Sequence, residues 1–266
     1  MAANVERADY GQDAPGVVRN LALGGAAALL VAVAAFAGWI PRNVVWRPVE
    51  NLAIGFPIAV MSSWTAAGLV AGALWMVWGS RIGKLAERER MIDRVTWRGD
   101  EQVLDVGCGR GLLLIGAAKR LTSGVATGVD LWQAEDLSGN RPEVPLKNAA
   151  LEGVAARVKV ETADMRKLPF PDASFDVVVS RAAIHNLYQA PDRAAAIREI
   201  ARVMKPGATA LLSDIRHHPE YARAFRASGV TEVRTLDSKL AGFLCTLLTF
   251  GSLRPNTTLA KKGGAR

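Results

Sequence analysis

The chain of 266 residues carries 33 Lys and Arg against 25 Asp and Glu, a net charge of +8, and is 50% apolar. So much apolar side chain excludes a disordered or fibrous protein, and two cysteines, Cys108 and Cys245, exclude a disulfide scaffold and offer no metal-ligand spacing. The charge is unevenly placed: residues 1–80 hold Arg7, Arg19, Arg42 and Arg47 against Glu6, Asp9, Asp13 and Glu50, so the whole excess follows residue 80.

After a tail over residues 1–20, Leu21 to Ile40 runs for twenty residues without a charge, the length a helix needs to cross about 30 Å of hydrocarbon. A second uncharged run, Ile54 to Trp78, includes Pro57, Trp64, Trp75 and Trp78, and its terminal Trp residues suit an interface. With the connector Pro41–Ala53, the two runs read as a transmembrane hairpin over residues 21–80. A signal peptide cleaved after Ala37 and a pair of buried core helices are the alternatives. Arg81, Lys84, Arg88, Arg90 and Arg94 crowd past the second run while the connector has two Arg, which predicts a multi-pass cell-membrane protein with both termini cytoplasmic. Arg81–Val95 has the pattern of an amphipathic helix whose basic residues rest on anionic lipid or form a solvated face.

Residues 81–266 form the second domain. Short β-branched or apolar runs at Val103–Val106, Ala126–Val129, Val158–Glu161, Val177–Ser180, Thr209–Ser213 and Thr231–Thr235 alternate with helical stretches at Leu112–Leu121, Leu146–Gly153 and Pro191–Met204. A last strand is expected near Thr257–Ala260. The alternation predicts an α/β fold, a parallel sheet covered on both faces, with ligands at the carboxyl ends of its strands.

At the first of these strands, Asp105-Val106-Gly107-Cys108-Gly109-Arg110-Gly111 is a glycine-spaced turn into an apolar helix. Glycine permits the tight turn and close backbone approach, and the helix offers free N–H groups. Leu112 stands where a dinucleotide fingerprint needs its third glycine, and no P-loop string occurs. The pattern resembles motif I of the class I S-adenosylmethionine-dependent methyltransferases. The resemblance extends over roughly Arg81–Arg266. It takes in Val129-Asp130, where that family places an acid for the ribose hydroxyls, then Asp164-Met165 before Leu168-Pro169-Phe170, the strand ending at Ser180, and Lys205-Pro206-Gly207.

The resemblance implies a Rossmann-like seven-stranded sheet, S-adenosylmethionine as cofactor and no metal. It implies a cofactor set of Asp105, Gly107, Cys108, Gly109 and Gly111 around the methionine portion, Asp130 and Leu131 at the ribose, Asp164 and Met165 at adenine, and Ser180 facing the methyl group. Methyl transfer from a sulfonium is an in-line displacement in which a base is needed only if the acceptor carries a proton. His185, in the segment after the fourth strand, is the candidate base, or else it shapes the pocket. His217 and His218 read as loop residues. Residues 131–142 form either a lid or an inert loop. The uncharged stretch 240–250 either dips into the interface, lines an acyl or prenyl pocket, or packs as a core helix.

The dispersed Lys and Arg with no RNA-recognition motif predict no nucleic-acid partner. The expectation is an integral-membrane methyltransferase of a lipophilic small molecule such as a lipid headgroup, a quinone or isoprenoid precursor, or a hydrophobic thiol or phenol. A methyltransferase of protein side chains and a non-catalytic ligand-binding scaffold are the alternatives.

Overall fold

A computed structural model of the protein describes residues 6–133, 137–236 and 255–264. The chain divides into two compact units: a hairpin unit of Gln12–Lys84 with Glu135–Ser138, and a sheet unit made of the remainder.

In the hairpin unit, helix α1 (Pro15–Phe36) and helix α2 (Ile58–Trp78) pack against each other. Their contact is lined by small residues: Gly25, Ala32 and Ala35 on α1, and Ala59, Ala66 and Ala73 at seven-residue intervals on α2. A Cβ added to Gly25 would lie 2.8 Å from Val70 Cγ2, so the absence of a side chain there sets the approach of the helices. Large side chains point outward instead, with Leu30 71%, Trp64 76% and Trp75 70% exposed. The hydroxyls of Ser63 and Thr65 are turned back onto the carbonyls of Ala59 and Met61, which pairs both within the helix.

Both helices differ in their bounds from the uncharged runs that predict them. Helix α1 starts at Pro15, whose fixed φ suits a first turn, and ends at Phe36, whose carbonyl accepts a bond from Arg42 Nη2. The connector is a two-stranded ribbon of β1 (Val44–Val49) and β2 (Leu52–Phe56), so Ile54–Phe56, read as the start of the second helix, are strand. Absence of charge cannot separate strand from helix here. The β-branched and aromatic side chains of Val44, Val45, Trp46, Ile54 and Phe56 favour the strand, and Pro57 ends it.

A π-helical turn over Gly79–Gly83 leads into α3 (Lys84–Ile92). Arg81, Arg90 and Arg94 are exposed, whereas Lys84 pairs with Asp13 and Arg88 is buried between Tyr10 and Glu89. Two of the five basic residues are therefore committed to the protein and not to a lipid surface.

The sheet unit has seven strands: β3 (Gln102–Val106), β4 (Val125–Asp130), β5 (Val158–Thr162), β6 (Phe175–Arg181), β7 (Met204–Asp214), β8 (Glu232–Leu236) and β9 (Asn256–Lys261). Their order is β5-β4-β3-β6-β7-β9-β8, parallel throughout except for β9, which runs antiparallel to both neighbours. The order reverses between β3 and β6, so a crevice opens at the carboxyl ends of these central strands. Helices α4 (Leu112–Ala118), α5 (Glu143–Leu151), α6 (Ala190–Val203) and α7 (His218–Ala227) connect them, and one apolar cluster fills each face. Helix α7 departs from the sequence reading, which left His217 and His218 in a loop. Tyr221, Ala222 and Phe225 bury one face of it, and Pro219 occupies its first turn.

Residues 6–11, read as tail, pack within the sheet unit. Buried Tyr10 donates to Glu152 and accepts from Arg88, while Arg110 of the glycine turn donates to both the carbonyl and the carboxylate of Asp9. The uncharged stretch 240–250, with Cys245, lies outside the described residues.

Candidate active site

The glycine turn leaves β3 with three positive-φ residues, Gly107, Gly109 and Gly111. At Gly107 a Cβ would come 2.3 Å from Ala183 Cβ and 3.7 Å from Met165 Cε, so the turn, the β6 exit and the Met165 segment converge there. Gly111 opens α4 in the left-handed region, where glycine is favoured. The N–H groups of Gly107 and Cys108 both donate to Val129 O, which holds the turn against the end of β4.

Asp105 is buried, and its Oδ2 accepts from Leu114 N in the first turn of α4. Burial, with Asp130 nearby, pushes its carboxyl up to about 8. Cys108 turns its thiol inward against Gly128, where a Cβ would lie 2.7 Å from Sγ, and burial pushes that thiol up. Only its backbone remains to face a ligand.

Asp130 ends β4 with its carboxylate at the turn: Oδ2 accepts from Gly109 N at 2.8 Å, and Oδ1 from Trp132 N at 2.6 Å and Asn140 Nδ2 at 3.2 Å. The acid and the glycine backbone are thus one hydrogen-bonded assembly. Leu131 beside it is 48% exposed and open to a planar ligand. Trp132 follows at φ +61, its indole N–H donating to Thr162 Oγ1, so the start of the 131–142 segment is ordered by specific bonds.

Asp164 is held by Arg166, which donates to both carboxylate oxygens and reaches Asp192 as well; the guanidinium holds the Asp164 carboxyl below the usual carboxylate range. Ser180 is buried and donates to Val106 O at 2.7 Å, tying β6 to β3, so its hydroxyl hydrogen is spent within the sheet.

Residues 104–212 match the family described as Methyltransferase domain. This segment is similar to methyltransferase domains, and its sheet has the Rossmann-like fold of the S-adenosylmethionine-dependent methyltransferases. Among curated proteins, Methyltransferase GfsG of Streptomyces halstedii is 37% identical over 141 residues, 51% of this chain and 47% of that one. The 27-O-demethylrifamycin SV methyltransferase of Amycolatopsis mediterranei is 34% identical over 126 residues, 47% of this chain and 43% of its own length. The chain thus spans about half the length of the curated relatives it matches. Among solved structures, geranyl diphosphate C-methyltransferase from Streptomyces coelicolor superposes with a TM-score of 0.53 at 18% identity, covering 66% of this chain and 78% of that one. At that identity the likeness establishes the fold.

Within the methyltransferase domain, the exits of β6 and β7 carry a second cluster. His185 sits on a single 3₁₀ turn, Ile184–Asn186, with its backbone N–H donating to Asp214 Oδ2 and its Nδ1 2.5 Å from Asp214 Oδ1. The ring contact is short but is not aligned as a hydrogen bond. Asp214 is buried and also accepts from Tyr221 OH at 2.9 Å and from Ile215 N at 2.8 Å. Burial beside this carboxylate pushes the Tyr221 phenol well above its ordinary range, so the tyrosine acts as a donor that fixes the acid. Nε2 of His185 makes no hydrogen bond to a described residue and is the ring nitrogen left for a ligand.

Glu87 of α3 joins this edge of the sheet, accepting from Arg181 Nε at the end of β6 and from Ser213 Oγ near the end of β7. His217 pairs with Glu220, and His218 is buried with Nε2 donating to Asp214 O and Nδ1 accepting from Thr258. Both ring nitrogens of His218 are therefore engaged, whereas His217 is held through Nδ1. Asp214, Tyr221, Glu87 and Asn140 have no motif spacing. The only signal for Asp214 is a charged residue closing the apolar run Ala210–Leu212.

Proposed function

We propose that this protein is an integral-membrane methyltransferase that transfers a methyl group from S-adenosylmethionine to a lipophilic small molecule, with His185 as general base where the acceptor carries a proton. The observation that carries the membrane part is the exposure of the two apolar helices. In their most apolar windows, 11% of residues in α1 and 17% in the helix from Ile58 are buried, whereas a core helix of a soluble protein is mostly buried. The small-residue contact of α1 with α2 suits association in lipid, where apolar side chains gain nothing by leaving hydrocarbon for each other. Glu6–Gly11 and Leu85–Gln133 belong to one compact unit, which favours a hairpin that enters and leaves the membrane on one side; Arg81, Arg90 and Arg94 favour the cytoplasmic side.

The names of the relatives support the acceptor class. Rifamycin and geranyl diphosphate, in those names, are small organic molecules with large apolar parts. A hairpin in the bilayer keeps the enzyme where such an acceptor partitions.

S-adenosylmethionine supplies an electrophilic methyl group on sulfur, and the residues present fit it. The glycine turn gives backbone close approach, Asp130 an acceptor for ribose, Leu131 and Met165 apolar faces for adenine, and Asp105 an acid for the methionine ammonium. Asp164 offers adenine only what Arg166 leaves free. At the other end, the Asp214 carboxylate lies beside Nδ1 of His185, and Nε2 accepts the proton of an acceptor as its oxygen, nitrogen or carbon attacks the methyl group. Protonation of Nε2 then makes an imidazolium beside Asp214, whose charge the carboxylate stabilises.

Two outcomes follow. The protein is expected to stay with the membrane pellet after alkaline carbonate washing and to leave it only with detergent; release by carbonate alone would overturn the membrane assignment. Asp105 gives a pH dependence. Its carboxyl is raised from 3.8 to about 8, so below pH 8 it is protonated in the empty domain, and an ammonium placed beside it drives that proton off. Affinity for S-adenosylhomocysteine is therefore expected to rise with pH up to about 8, with proton release visible as buffer-dependent heats of binding. In Asp105→Asn this proton release should vanish.

A further inference from the structure

A carboxylate presents about four lone-pair directions to donors. On Asp130 the protein fills three of them: Gly109 N donates to Oδ2, while Trp132 N and Asn140 Nδ2 both donate to Oδ1. One direction on Oδ2 is left, yet a ribose brings two hydroxyl groups. The second hydroxyl needs another acceptor beside the first.

Asn140 supplies one. Its side chain is buried, and its Nδ2 faces two acceptors, Asp130 Oδ1 at 3.2 Å and Gln133 O at 3.4 Å. Turning the amide over would set oxygen against oxygen at both contacts, so the orientation is fixed by its partners. The other end of the same amide, Oδ1, is buried without any hydrogen-bond partner. Orphaned buried acceptors are uncommon in folded proteins, and this one is shielded from the water that would relieve it. It lies on an amide already bonded to the acid of the ribose site.

On the reading of this site as one for S-adenosylmethionine, we infer that Asn140 Oδ1 accepts one ribose hydroxyl of the cofactor and Asp130 Oδ2 the other. The sugar is then shared between a carboxylate and an amide, and binding satisfies an acceptor that the protein alone leaves unpaired. The hydroxyl reaches Oδ1 once the groups that cover it give way. Asn140 thereby serves twice, through Nδ2 as a support for Asp130 and through Oδ1 as a cofactor ligand.

The test uses the full-length protein in detergent, with S-adenosylhomocysteine and its 2′-deoxy and 3′-deoxy forms as probes in titration calorimetry. The wild type is expected to bind each deoxy form about tenfold more weakly than the parent, one hydrogen bond being lost in each case. In Asn140→Ala, affinity for the parent falls at least about tenfold, and one deoxy form keeps its penalty relative to the parent while the penalty of the other disappears. The inference is overturned if the wild type binds either deoxy form as tightly as the parent, or if both penalties persist undiminished in the variant. Should Asn140→Ala fail to fold, Asn140→Ser carries the same comparison. Failure of the wild type to bind the parent at all would instead overturn the cofactor reading itself.

Discussion

Asp130→Ala is expected to lower affinity for S-adenosylhomocysteine by at least about a hundredfold, the largest single effect on cofactor binding in the domain. Hydrogen bonds to a charged group contribute about 1.5–3 kcal/mol each, and the carboxylate is engaged in several at once. It accepts from Gly109 N, Trp132 N and Asn140 Nδ2, so its removal frees the glycine turn, the start of the following segment and the amide beside the sugar together. Part of the loss is a ribose acceptor, and part is the ordering of the glycine backbone that meets the methionine portion. Asp130→Asn separates the two, because it keeps one acceptor oxygen while turning an N–H₂ group toward one of the present donors. Its affinity should fall between wild type and alanine. Calorimetric titration in detergent measures all three, and an Asp130→Ala protein that binds like wild type would remove the assignment of the cofactor to this end of the sheet.

The second large effect is on turnover. His185→Ala is expected to lower the rate of methyl transfer to a proton-bearing acceptor by about 10²–10⁴, the range for loss of a positioned general base, with cofactor affinity little changed. Asp214→Asn is expected to lower the rate as well, by the loss of the carboxylate beside Nδ1 that stabilises the protonated ring. Asp214 also receives Tyr221 OH, Ile215 N and His185 N. Tyr221→Phe is the milder probe of the same assembly, since it removes one donor and keeps the aromatic packing. Rates are read in single turnovers with methyl-labelled cofactor. An unchanged rate in His185→Ala would end its role as base and leave positioning as the source of catalysis.

Much of the sheet unit was legible in the amino-acid order because its signals are local. The run Val103–Val106 into Gly107, Gly109 and Gly111 encodes a strand, a turn and a helix start within nine residues, and Asp130 closes the next strand. What escaped is long-range. Asp214 meets His185 across 29 residues, Glu87 meets Ser213 across 126, and Asn140 reaches Asp130 from the far side of a segment whose only sequence mark was its length. None of these pairings has a period or spacing to betray it. Ser180 and Cys108 went the other way: motif position suggested the cofactor, and packing turned the hydroxyl to Val106 and the thiol to Gly128. The basic residues after the second helix showed the same limit, since charge counting does not reveal that Arg88 is buried under Tyr10. Helix α7 was missed because Arg223 and Arg226 interrupt its apolar residues, whereas Tyr221 and Phe225, four apart, mark its buried face.

The proposed acceptor is a lipophilic small molecule taken from the bilayer. Carbonate-washed membranes carrying the full-length protein, supplied with S-adenosylmethionine labelled in its methyl group and then partitioned between organic solvent, water and precipitated protein, test it most directly. Label is expected in the organic phase, dependent on Asp130 and on His185. Label confined to the precipitated protein, or to the aqueous phase, would contradict it.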